Sequence, residues 1–163
     1  YGTAAAPAMS QLVTLGMADG LAPVATGWGA VSRDVATLLA ATALPADASA
    51  RPERWRQRSR STVQALSLLD RVLDGPLPDP QTRTDLLWLQ TRLEIGRRFA
   101  DLLAAYWQWR LSATAPAADA LRAAVDETDR CVRERVRQDT VDPVGGDVAV
   151  WYAMVEKLRA ALP

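Results

Sequence analysis

Apolar residues recur at spacings of three and four along nearly the whole chain, and Pro and Gly cut that pattern into blocks. The spacing predicts an all-α protein. Ile and Phe occur once each, and no period-two run is bounded by turn residues, so little is available to build a sheet. The one alternating stretch, Val132 to Arg137, continues the helical seam Leu121, Val125, Thr128, Val132 and Val136.

The first predicted helix starts near Pro7, turns Met9, Leu12, Val13 and Met17 inward, and stops at Gly20. A second runs from about Pro23 to Ala43, with Trp28, Val31, Val35, Leu38 and Ala41 on one face. Leu44-Pro45 ends it, because the residue before a proline is pushed out of the helical region. The third begins at Pro52 and ends before Gly75, turning Trp55, Thr62, Val63, Leu66, Leu69 and Leu73 inward. The short link Gly75 to Pro80 permits only an antiparallel return, with Asp79 as N-cap of the next helix.

That fourth helix, about 80–111, carries two seams at about 100° per residue. One is Leu86, Leu89, Leu93, Gly96, Ala100, Leu103 and Trp107; the other is Trp88, Ile95, Phe99, Leu102, Tyr106 and Trp109. Only a stripe through Gln90, Glu94, Arg97, Arg98, Asp101 and Gln108 is polar, so the helix is expected to be packed on two sides at the centre of a bundle. Gly96 in its middle, about 1 kcal/mol worse than Ala in a helix, implies close approach of a neighbour. A fifth helix follows Pro116 and runs to about Gln138, presenting Leu121, Val125, Thr128, Cys131, Val132 and Val136. After a turn at Asp142 to Gly146, with Asp147 as N-cap, a last helix turns Val148, Trp151, Val155 and Leu158 inward. The expected architecture is one antiparallel helical bundle of five to six helices over 1–163, with an N-terminal helical segment at 1–45 and the bundle proper at 51–163.

Composition removes whole classes of chemistry. The chain has 163 residues, no His and one Cys, and it contains no Asn; His-based triads, His metal sites, internal disulfides and N-glycosylation sequons are all excluded. Nineteen basic residues balance nineteen acidic ones, which argues against a nucleic-acid partner, since such binding draws on summed positive charge. No stretch reaches the roughly 18 unbroken apolar residues of a membrane span, so no membrane partner is expected either. No catalytic residue, cofactor or metal is assigned.

Several local features carry candidate chemistry. Arg51, Arg54, Arg56, Arg58 and Arg60 surround Trp55, basic residues interleaved with an aromatic; positive charge at a helix start opposes the helix dipole, so acidic partners are expected nearby. Asp126, Glu127, Asp129 and Glu134 read as a solvated acidic face, since helical di-metal sites add histidines. Asp139, Asp142, Gly145, Gly146 and Asp147 fit turn chemistry, with no closing bidentate Glu for calcium. Cys131 reads as a small packed residue, and Gly27-Trp28-Gly29 lacks the strand and third glycine of a dinucleotide loop. Trp107 and Trp109 point about 160° apart around their helix and cannot serve one interface. Arg92 falls inside the apolar arc near Phe99 and Leu103, which requires an acidic partner or a ligand. Arg92, Phe99, Tyr106, Trp109 and Trp55 are therefore the candidate partner or ligand surface, with carbohydrate among the ligands because aromatic rings stack on sugars.

The opening Tyr1-Gly2-Thr3-Ala4-Ala5-Ala6-Pro7-Ala8-Met9, followed by long Arg/Ala/Leu helices such as Leu86-Leu87-Trp88-Leu89-Gln90 through Arg97-Arg98-Phe99, resembles the helical region after the catalytic barrel in bacterial glycoside hydrolases. These are the α-glucuronidase-like and hexosaminidase-like enzymes. The resemblance implies that the chain is a piece of a longer protein whose barrel, with its paired carboxylates, precedes Tyr1; no catalytic residue of that family carries over to this sequence. The expected role is a non-catalytic helical accessory domain whose partner is the adjoining catalytic domain. The alternative is a free-standing helical interaction module with a protein partner.

Overall fold

The structure is a computed structural model and describes residues 29–40, 42–138 and 146–162. Among the described residues the order is α1 (Gly29–Ala40), a 3-10 turn (Ala48–Ala50), α2 (Arg51–Leu73), α3 (Pro80–Ser112), α4 (Ala115–Gln138) and α5 (Gly146–Ala160), with no strand. The all-α expectation holds. The expected helix from Pro7 to Gly20, the residues from Pro23 to Trp28, Ala41 and the turn at Asp142 to Gly145 lie outside the described residues.

Helix ends follow local chemistry. Pro52 sits in the first turn of α2, where its missing N–H costs nothing, beside Glu53. At the far end Gly75 N–H donates to the Val72 carbonyl at 3.2 Å. Asp79 caps α3 as expected, accepting from Thr82 N–H at 2.8 Å and from the Thr82 hydroxyl at 2.9 Å. These two bonds, the backbone one first, hold the Asp79 carboxyl below the ordinary carboxylate range. The other end of α3 is closed by Ala113 in the left-handed region, φ 51°, whose N–H donates to the Trp109 carbonyl at 2.7 Å. Asp147 is not an N-cap, because α5 already begins at Gly146.

Cross-links between neighbours run in opposite directions along paired helices. Arg56 meets Gln108 and Asp70 meets Gln90 across α2 and α3; Arg98 meets Glu127 and Glu94 meets Arg135 across α3 and α4; Asp129 meets Arg159 and Arg133 lies over Tyr152 across α4 and α5. The helices α2 to α5 are thus successively antiparallel, as short connections require.

Helix α3, 33 residues and about 50 Å long, is the shared wall. Towards one end Leu86 and Leu93 pack with Ala65, Leu69, Val72 and Leu73 of α2. Towards the other, Phe99, Leu102, Leu103, Tyr106 and Trp107 pack with Val31, Val35 and Leu38 of α1, with Leu121, Val125 and Val132 of α4, and with Trp151, Val155 and Leu158 of α5. The central, doubly packed helix expected at 80–111 is therefore present, and Gly96 is buried within it. Two details differ. Val63, expected inward on α2, is exposed, because the buried face of α2 runs through Trp55, Ser59, Thr62, Ala65 and Leu69. The polar stripe of α3 is not a free face but a pair of rims: Gln90 and Gln108 bond to α2, Glu94 and Arg98 to α4.

Candidate functional site

A recess with polar chemistry lies between α1 and the first three turns of α2. It begins with Asp34, a carboxylate on the inner side of α1 whose side chain is only 14 % exposed. Its Oδ2 accepts the indole N–H of Trp55 at 2.5 Å and that of Trp107 at 2.8 Å, while its Oδ1 pairs with the Arg51 guanidinium. Arg51 in turn lies over the Trp107 ring, 4.6 Å from its centroid. One buried charge is thereby satisfied by a cation and two indoles, each of which would otherwise be a buried donor without an acceptor.

Above this knot opens a recess of about 450 Å³, within the range of small-molecule pockets. Its lining holds four guanidiniums, Arg33, Arg51, Arg54 and Arg58, and two carboxylates, Asp34 and Asp47. Asp47, in the loop before α2, accepts from Arg54 at 2.5 Å and from Arg51 Nε at 2.9 Å. These two partners, Arg54 foremost, hold the Asp47 carboxyl below the ordinary range. Arg58 lies over the Trp55 ring at 4.9 Å, and burial lowers its pKa against the opposing pull of Asp34. The basic cluster around Trp55 thus has the acidic company that its place at a helix start demands: Asp34 and Asp47 here, and Glu53 for Arg56 and Arg60.

The five candidate surface residues do not form one surface. Trp55 belongs to the recess, but it is 7 % exposed, with its N–H spent on Asp34 and Arg58 against its ring. Arg92 is buried 37 positions further along the chain, on α3, with its guanidinium 4.3 Å from the centroid of Trp88 one turn earlier, so an aromatic face on its own helix is one of the contacts that meet the charge. Phe99 is fully buried in the main core. Tyr106 is buried too, donating its hydroxyl to the Ala161 carbonyl at 3.1 Å, and burial raises its pKa. Trp109 packs edge-on against Tyr106 at 5.6 Å, while Trp107 faces Asp34. The two tryptophans do serve opposite sides, as their phase requires.

The acidic run on α4 divides: Asp126 and Glu134 face solvent as expected, with side chains 78 % and 47 % exposed, whereas Glu127 and Asp129 form a clamp. Glu127 takes Arg130 and Arg98, and Asp129 takes Arg133 and Arg159. Arg130 leads the causes that hold Glu127 below the ordinary range. Burial pushes Asp129 upward, but its bonds to Arg133 and Arg159 together outweigh that and hold it low. Beside them a smaller recess of about 190 Å³ is bordered by Glu94, Arg98, Cys131 and Arg135. Burial pushes the Cys131 thiol upward, away from the thiolate that a nucleophile needs.

No family model, curated protein or solved structure matches the chain. Among the described residues no helix is long and apolar enough to cross a membrane, and no group of three or more Cys, Asp and Glu is placed to hold a metal ion.

Sequence reasoning missed Asp34, Asp47 and Arg33. A signal for Asp34 was present: at about 100° per residue it lies about 40° from Leu38, at the edge of the apolar stripe of α1. A carboxylate there needs donors, and buried tryptophans need acceptors.

Proposed function

We propose that the chain is a non-catalytic helical accessory domain of a carbohydrate-active enzyme, packing on or bordering a catalytic barrel encoded before Tyr1. The observation that carries the non-catalytic half is the use made of the acidic side chains. Asp34 is consumed by two indoles and Arg51, and Glu127 and Asp129 each accept from two arginines. A carboxylate held ionised by cations is a poor proton donor, and one already saturated with donors is a poor nucleophile. The enzyme half rests on the resemblance of the opening residues and of the α3 sequence. The coding sequence upstream tests it: a barrel-encoding frame continuous with Tyr1 is the expected finding, together with no hydrolysis of aryl glycosides by the purified chain. A start codon directly before Tyr1 would reject the accessory role in favour of a free-standing interaction module with a protein partner. Glycoside hydrolysis by the chain alone would reject both.

A further inference from the structure

We propose that the recess between α1 and α2 binds a small dianionic oxyanion ligand, a phosphate monoester or a dicarboxylate, through Arg58 and Arg33. The inference is independent of any accessory role, because it concerns only side chains that this chain supplies.

It starts from charge. Four guanidiniums and two carboxylates line the recess, and both carboxylates are already claimed: Asp34 by Arg51, Asp47 by Arg51 and Arg54. Among the described residues neither Arg33 nor Arg58 makes an ion pair, so the recess carries two cations beyond its own anions. An occupant with two negative charges would balance it. A phosphate monoester carries about −1.5 to −2 at neutral pH, and a dicarboxylate carries two.

Desolvation selects Arg58 as the principal contact. Arg58 is only partly exposed and sits against Trp55, so it has given up part of its hydration with only the more distant pull of Asp34, and no direct ion pair, to compensate. An arriving oxyanion supplies that compensation, and the planar guanidinium can grip it with two parallel N–H donors. Arg33, exposed on α1, faces the same space from the other wall. One wall is fixed beforehand, since the largely buried Arg51 is held by Asp34, and that much less ordering remains to oppose binding. A neutral sugar fits less well, because the indole that would stack on it is covered.

Calorimetric titration of the whole 163-residue chain at low ionic strength, with inorganic phosphate, succinate and acetate in turn, tests this. One equivalent of phosphate or succinate is expected to bind at least about tenfold more tightly than acetate, whichever dianion wins identifying the ligand type. Arg58→Gln and Arg33→Gln should each weaken that binding about tenfold, whereas Arg71→Gln, at the far end of α2, should not. Circular dichroism confirms that each variant is folded; should Arg58→Gln unfold, the exposed Arg33→Gln decides. The proposal is overturned if neither dianion outbinds acetate, or if Arg71→Gln weakens binding as much as the recess variants do.

Discussion

At the scale of single residues the molecule is organised by how each polar group inside it finds a partner. Asp34 is the extreme case, one carboxylate holding donors from α2 and α3. Asp34→Ala removes the acceptor of two indoles and strands Arg51, and is expected to cost about 3 kcal/mol in urea unfolding; a loss below about 1 kcal/mol would show that water replaces the carboxylate freely. Leu93→Ala, in the cluster with Leu69 and Val72, should cost about 2 to 5 kcal/mol. Glu94→Ala, its neighbour, loses only a partly exposed pair with Arg135 and should cost no more than about 1 kcal/mol. Equal losses at these two sites would contradict the packing of α3. Arg92 was legible as an anomaly from its phase alone. Its contact with Trp88 was legible as well, since residues four apart share one face of a helix.

The elements show where local chemistry suffices and where it does not. Proline at the start of α2 and α3, Asp79 before Pro80, and the short link between these helices fixed boundaries and direction in the sequence with little ambiguity. The pairing of Glu127 and Asp129 on α4 was not legible for a physical reason: their arginine partners Arg98 on α3 and Arg159 on α5 are remote in sequence, so a carboxylate facing water and one facing a guanidinium look the same. The recess was invisible for the same reason, being assembled from α1, a loop and α2. The C-terminus of α3 yields a further prediction. Ala113 holds a positive φ of 51°, which costs an L-residue roughly 1–2 kcal/mol, partly offset by the lower backbone entropy of Ala in the unfolded chain. Ala113→Gly is therefore expected to raise stability by about 0.5–1 kcal/mol, seen as a higher urea midpoint at unchanged slope. A lower midpoint would mean that the strain is absent.

For the whole molecule, carboxylates bonded to arginines or, at Asp79, to the start of a helix set the response to acid. Asp47, Asp79, Glu127 and Asp129 all have folded pKa values below their ordinary ones. The unfolded state therefore takes up protons first as pH falls, so their contribution is complete above about pH 5 and lost progressively below about pH 4. Urea midpoints measured across that interval should fall, and fall less in Asp129→Asn; parallel slopes would remove Asp129 from the set. The carboxylate of Asp34 has one more consequence, which concerns time. Its bonds to Arg51 and Trp55 span 17 and 21 positions but that to Trp107 spans 73, so the complete knot requires α2 and α3 to be paired already, whereas the α2–α3 and α3–α4 pairs close short loops and can form early. α1 should consequently dock after the barrier has been crossed. Asp34→Ala is then expected to leave the refolding rate unchanged and to place its whole effect on the unfolding rate. On this view Asp34 sets how long the folded state lasts, while the hairpins set how fast it is reached.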